Sequence, residues 1–183
     1  MTQPTLHSER LILRPFTVDD APSVQQLAGD RAIADTTVNV PHPYEDGMAE
    51  AWIRSHEADH EAGNSARFAL VSRASTALIG AMGLEIDDRN RQAELGYWIA
   101  VPFWNQGYAT EAAREVVRFG FETLGLNRIG AAHFTRNPAS GRVMQKLGMS
   151  HEGTTRQGAQ RWDTFEDLER YGLLHSDWLE RQS

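Results

Sequence analysis

The stretch Trp104-Asn105-Gln106-Gly107-Tyr108-Ala109-Thr110-Glu111-Ala112 constrains this chain more than any other segment. It follows a strand-like run, Ala93-Glu94-Leu95-Gly96-Tyr97-Trp98-Ile99-Ala100, and it opens an amphipathic helix. A strand, a turn of small residues and a helix start bring backbone N–H groups together at one place. The first helical amides lack internal partners and carry the positive end of the helix dipole, so such a place binds an anion. A ligand bearing phosphate is the expectation. Two phosphate loops do not fit. The nucleoside-triphosphate loop needs Lys-Ser/Thr after its second glycine, and this turn has no lysine. The dinucleotide fingerprint needs three spaced glycines in an early βαβ unit, whereas Gly107 stands alone and late in the chain.

The rest of the sequence supplies an ordinary globular frame. A chain of 183 residues can bury one substantial core and is most simply a single domain over 1–183. Its net charge of −7 gives no general attraction for nucleic acid and is compatible with a cationic substrate such as an amine. Cysteine is absent, which excludes disulfides, thiolate metal sites and a cysteinyl acyl-enzyme. Met1-Thr2-Gln3-Pro4 has no secretory pattern and no apolar run approaches membrane-spanning length, so the expectation is a cytoplasmic protein with no membrane partner.

Periodicity sets out an α+β chain. A strand is expected over about 6–14, then a helix over about 19–29 behind a Thr17/Asp20 capping pair. A loop follows over about 30–44, then a second helix through Trp52 to about Glu61, stopped at Gly63-Asn64. Strands are expected at Arg67–Ser72, Leu78–Ile86 and Ala93–Ile99. The third helix carries Ala113, Val116, Val117, Gly120, Phe121 and Leu124 at helical spacing. A strand at Arg128–Thr135, a fourth helix capped by Asn137 and ending at Gly148, and two strands at roughly 149–157 and 164–174 complete the order.

The phosphate turn resembles the acyl-CoA loop of the GNAT superfamily of N-acetyltransferases, whose Q/R-x-x-G-x-G/A pattern grips the pyrophosphate of coenzyme A. It is most similar to the branch that acetylates ribosomal-protein N-termini, where the loop commonly reads Trp-Gly-x-Gly-Tyr-Ala-Thr-Glu-Ala. Trp104 stands where the general pattern has Gln or Arg, and Asn105 replaces the branch's glycine. Four further segments resemble that branch in the same order: Ser8–Pro15, Val40–Tyr44 with Ala51–Ile53, Asn137–Met149, and Asp167–Leu174 with Trp178. The resemblance covers nearly the whole chain. It implies a GNAT fold, here a six- to seven-stranded, mostly antiparallel sheet with four flanking helices. In that fold the strand matching Ile99 and the strand matching His133 run parallel and splay apart, and the thioester arm enters the gap.

The implied reaction is transfer of acetyl from acetyl-CoA to a primary amine such as a protein N-terminus, and with no cysteine direct attack is favoured over a covalent relay. The resemblance puts the cofactor against Ile99, Val101, Gln106, Gly107, Tyr108, Ala109, Thr110, Asn137 and Ser140. Glu94, on the strand leading to the turn, is the candidate general base; the alternative is a strand glutamate that faces solvent or pairs with Arg67 or Arg91. Ser140 is the candidate proton donor to the thiolate, with Tyr171 as the other choice. Tyr97, Trp98, Phe103 and Trp104 are expected to be core or groove wall, and Arg142 and Lys146 solvated. The acceptor loops, about 34–47 and 155–164, offer Tyr44 (with Glu94 the chief substrate contact), His42, Arg156, Arg161 and Trp162. Small amines such as polyamines, amino acids or aminoglycosides, and a non-catalytic acetyl-CoA sensor, stay open as alternatives, and a homodimer is compatible with the sequence.

One rival motif needs weighing. His56-Glu57-Ala58-Asp59-His60 satisfies the H-E-x-x-H zinc signature, but the third histidine of the extended pattern would fall at Ala66. The polar surroundings fit an exposed helix end, so the match is taken as chance and no metal is expected.

Overall fold

In the computed structural model, which describes residues 3–182, the strands are β1 (Leu6–His7), β2 (Leu11–Pro15), β3 (Ser65–Ser72), β4 (Leu78–Asp87), β5 (Gln92–Ile99), β6 (Arg128–Phe134), β7 (Ser150–Arg161) and β8 (Thr164–Leu174). They form one sheet in the order β1-β2-β3-β4-β5-β6-β8-β7. Every neighbouring pair is antiparallel except β5 and β6. The helices are α1 (Ala21–Ala28), α2 (Arg31–Thr36), α3 (Met48–Glu61), α4 (Tyr108–Glu122), α5 (Pro138–Lys146) and α6 (His175–Glu180). Met1, Thr2 and Ser183 lie outside the described residues.

Helices cover both faces of the sheet. On one face α4 buries Ala113, Val116, Val117, Gly120 and Phe121 against Leu84, Leu95 and Ile129. Burying each large apolar side chain stabilises by ~1.5–3 kcal/mol, so this stripe anchors the helix that begins at the phosphate turn. Gly120 is required by the close approach, because a Cβ there would sit 2.8 Å from Ile129 Cδ1 and 3.1 Å from Leu84 Cδ1. On the other face α1 and α3 pack Val24, Ala28, Ala49 and Ile53 over Ala69, Ala81 and Trp98. Two separate cores therefore sandwich β5, a different one on each side.

The architecture has the expected mixed α/β character, and the differences in detail have local causes. The strand expected over about 6–14 is a tight hairpin, since Ser8 both accepts from the Leu11 amide and donates its own amide to the Leu11 carbonyl at 3.0 Å. The expected loop at 30–44 contains α2, started by the Asp30 carboxylate accepting from the Ala32 amide at 2.8 Å and seated by buried Ile33 and Ala34. Helix α6, not anticipated, packs Trp178 beside Phe121 of α4. Among the described residues there are thus an eight-stranded sheet and six α-helices rather than six or seven strands and four helices.

The two histidines of H-E-x-x-H go to different tasks. His56 is 8% exposed and lies between the Phe16 and Trp52 rings, with centroids 5.4 and 4.4 Å away. His60 Nδ1 is 3.2 Å from the Ser65 carbonyl. Burial, helped by nearby Arg67 and opposed by Asp59, pushes the His56 imidazole down to about 4. The folded state keeps this ring neutral while the unfolded chain takes up a proton below about 6.5. Stability is therefore expected to fall as pH drops from about 6.5 towards 4. In His56→Phe that decline should shrink in thermal unfolding followed across pH; an equal decline in both proteins would contradict it.

Candidate active site

The parallel pair is short. β5 and β6 register at Gln92↔Arg128, Ala93↔Ile129 and Glu94↔Gly130, and there the pairing ends. Each strand continues, but held only from its outer side: β5 by β4 as far as Gly80↔Ile99, β6 by β8 as far as Phe134↔Leu168. The sheet therefore forks just beyond Glu94. Because strand side chains alternate in direction, Glu94 and Trp98 face one side while Tyr97 faces the other. The two cores agree: Trp98 packs with the α1/α3 cluster and Tyr97 against the α4 cluster. One cavity of about 780 Å³ is lined by Glu94, Tyr97, Trp98, His133 and Ser140, so it crosses the sheet through the fork.

Below the fork, Tyr97 Oη and Ser140 Oγ share a hydrogen bond of 2.7 Å. Burial raises the Tyr97 phenol above its ordinary range, against the pull of Ser140, so it stays protonated and able to donate. Above the fork, Glu94 receives a hydrogen bond from Arg170 Nη1 at 3.3 Å. Desolvation lifts its carboxyl above the usual glutamate range, opposed by Arg170 and Arg128. The result is a proton acceptor on one face and a hydroxyl pair able to donate on the other.

The phosphate turn lies at the open end of β5. Asn105 (φ 59°) and Gly107 (φ 84°) both take left-handed backbone, which swings the chain from a short 3-10 turn over Val101–Phe103 into α4. Glu111 N–H bonds back to the Gly107 carbonyl at 3.0 Å, so the amides before it precede the helical ladder. The turn is clamped from the N-terminal hairpin. Glu111 accepts from Ser8 Oγ, Arg10 N and Arg10 Nε, each at 2.7 Å. Arg10 also donates to the Gln106 carbonyl at 3.1 Å and lies over the Tyr108 ring. Burial alone would raise the Glu111 carboxyl; these donors hold it below the usual range, so it is charged and neutralised by Arg10.

A model of the acetyltransferase (GNAT) domain matches residues 10–150, more than half of the chain. This chain belongs to the GNAT acetyltransferase family. It is 32% identical over 172 residues to the uncharacterized N-acetyltransferase YoaA of Bacillus subtilis, covering 93% of this chain and 97% of YoaA. The spermidine N(1)-acetyltransferase of Vibrio cholerae is 25% identical over 175 residues, covering 95% of this chain and 98% of that protein. Among solved structures, Mycobacterium smegmatis RimJ in complex with CoA-disulfide superposes with a TM-score of 0.87 at 19% identity. It covers 97% of this chain and 91% of that one, a likeness of fold.

In this GNAT protein the expected site residues fall into three groups. Glu94, Ser140 and Tyr44 meet on the one cavity. Gln106, Gly107, Tyr108, Ala109 and Thr110 form the turn and first helical residues beyond it. Ile99 and Val101 connect the two: the Ile99 carbonyl accepts from Trp104 Nε1 at 2.5 Å, and Val101 opens the 3-10 turn. Asn137 occupies the cap position of α5, but its side chain makes no capping bond, contrary to expectation; the backbone does that work through Ser140 N–H to the Asn137 carbonyl at 3.2 Å. Tyr171 is a packing residue, stacked on His133 and taking a bond from Gln145, and it is away from the cavity wall.

The acceptor loops hold one another. Arg161 donates to the Val38 and Val40 carbonyls, and Trp162 Nε1 to Asp35 at 3.1 Å. Arg161 and Trp162 therefore brace the 38–40 segment and do not line the cavity, and exposed Arg156 is off it too. His42 bonds the Gly29 carbonyl and faces a separate recess. Tyr97 lines the cavity as expected of a groove-wall residue, but its hydrogen bond to Ser140 and the Arg10–Glu111 clamp were not anticipated. Tyr97 sits three residues beyond Glu94, on the opposite side of the strand, the one signal that could have found it. Among the described residues no cluster of His, Asp and Glu is arranged to hold a metal ion. No helix among them is long and apolar enough to cross a membrane.

Glu111→Ala would leave the Ser8 and Arg10 donors without their acceptor. It is expected to cost ~1–3 kcal/mol in denaturant unfolding and to weaken coenzyme A binding in calorimetry. Unchanged stability and affinity together would contradict a clamp.

Proposed function

We propose that this GNAT protein transfers acetyl from acetyl-CoA directly to a primary amine, and that the preferred acceptor is the α-amino group of a protein N-terminus. The observation that carries this reading is the through-sheet cavity, with Glu94 on one face of the fork and the Tyr97–Ser140 pair on the other. Acetyl-CoA supplies the thioester when bound. The residues fit it: the first amides of α4 and the positive helix end suit a diphosphate, and the unpaired edges Leu95–Ile99 and Ala131–Phe134 suit a peptide-like arm. Asn137, whose side chain is not used in capping, is proposed to contact that arm.

Glu94 accepts the proton of the incoming ammonium, directly or through water, leaving a neutral amine to attack the thioester carbonyl carbon. As the carbon–sulfur bond breaks, Ser140 donates a proton to sulfur and is reprotonated by Tyr97, while the second proton shed by the nitrogen as the amide forms passes to water and solvent returns one to Tyr97. Each role needs its group in the opposite protonation state at neutral pH. Burial raises the carboxyl above the ordinary glutamate range and the phenol above the ordinary tyrosine range; the carboxylate is the form that accepts a proton and the neutral phenol the form that donates one.

The charge pattern supports a peptide over a polycation. Both carboxylates on the cavity already have arginine partners, Glu85 with Arg67 and Glu94 with Arg170. A polyamine would have to compete with two guanidinium groups, whereas one ammonium needs only Glu94. Val38, Val40, Met48 and Trp52 give an apolar wall beside it, suited to a first side chain.

An acceptor screen by thiol release is expected to favour N-terminal peptides over free polyamines; the reverse order would replace the acceptor while keeping the chemistry. Glu94→Gln should lower turnover by ~10²–10⁴-fold with coenzyme A affinity retained. It should also abolish the acid limb of the rate profile, which in the parent protein lies above the ordinary glutamate range. Ser140→Ala and Tyr97→Phe should each slow transfer, and the double variant should cost little more than the worse single one, because both act in one relay. Independent, multiplicative losses would show that they do not.

A further inference from the structure

We propose that Gly130 and Gly172 form a bare shelf on the sheet, that the Glu94 carboxylate lies on Gly130 beside the Arg128–Glu152 pair on Gly172, and that Arg170 is a positioning residue that holds Glu94 there. The inference rests on Glu94 as the base of the proposed reaction. It starts from register: Glu94 stands opposite Gly130, and Gly130 stands opposite Gly172, so the three occupy one row across β5, β6 and β8. Neither glycine has a positive φ, so backbone freedom does not explain them. Space does. A Cβ on Gly130 would overlap Glu94 Oε2, and one on Gly172 would overlap Arg128 Nη1 and Glu152 Oε1.

The shelf is furnished from every neighbouring strand. Arg128 on β6 and Arg170 on β8 lie two residues before the glycines and so share their face. Arg170 reaches Glu94 and is itself steadied through Nε to Thr155 Oγ1 at 3.3 Å. Arg128 is committed to Glu152 on β7 by two bonds of 2.5 and 2.6 Å, leaving Arg170 as the direct partner of Glu94. From β4, Glu85 stands directly opposite Glu94 and would repel it, but is engaged by Arg67 of β3. Glu94 is thus held over the fork by one arginine, with the other nearby charges paired off. A cation beside a carboxylate favours its ionised form, so removing Arg170 makes Glu94 hold its proton to higher pH.

The test is a carbon-13 carboxyl titration of the full chain, with the Glu94 resonance assigned by its loss in Glu94→Gln. Arg170→Gln should move the Glu94 midpoint up by ~0.5–1 unit, a half-exposed pair being partly screened, and Arg170→Lys should restore most of it. Gly130→Ala should displace the carboxylate, changing its shift and midpoint and lowering kcat while coenzyme A binding in calorimetry stays intact. Should Arg170→Gln not fold, Arg170→Lys and Gly130→Ala carry the test. A Glu94 midpoint indifferent to these variants overturns the shelf and leaves the base assignment standing. An acid limb that survives in Glu94→Gln overturns the base assignment, and the titration still decides the shelf.

Discussion

The architecture of the site depends on one interrupted interaction, the parallel pairing of β5 and β6. Three registered residues join the two halves of the sheet, and then the ladder stops. Without the join the chain would have two half-sheets and no common site. Without the stop there would be no opening between them. Unpaired backbone edges are normally a liability that a fold covers or blunts. Here they line a cavity, where an extended, amide-bearing ligand can take the place of the missing strand partner.

The fork also sorts chemistry by face. A strand sends alternate side chains to opposite sides, so Glu94 and Tyr97 cannot share a surface, and they do not need to. Transfer between two molecules that approach from opposite faces requires a proton acceptor for one and a donor for the other. In the proposed reaction the alternation of β5 would supply both within four consecutive residues, Glu94 to Tyr97. The remaining parts hold that strand in place. Helix α4 packs on one core, α1 and α3 on another, and Arg10 with Glu111 ties the start of α4 to the N-terminal hairpin.

Legibility in the sequence followed the range of each interaction. The turn into α4 was readable because its signal is local: Gly107 and the stripe from Ala113 to Phe121 lie within one strand–turn–helix unit. The family fold was readable because several weak segments stand in the right order. Helix α2 was missed because its six residues give little periodicity and its seat is made by tertiary contacts of Ile33 and Ala34. Arg161 and Trp162 were offered to a substrate, yet their partners are Val38, Val40 and Asp35, more than a hundred residues away, which no local pattern shows. The Tyr97–Ser140 bond spans 43 positions and was hidden for the same reason. The H-E-x-x-H match shows the converse, a local pattern whose histidines packing assigns to edge-on aromatic contacts and a carbonyl contact.

The measurement that tests the account most directly is a crystal structure of the protein with coenzyme A. The account predicts the diphosphate against the amides of Gly107 to Thr110 and the thiol-bearing arm threaded between Leu95–Ile99 and Ala131–Phe134, its sulfur beside Ser140. Coenzyme A bound elsewhere, with β5 and β6 zipped together beyond Glu94, would contradict it.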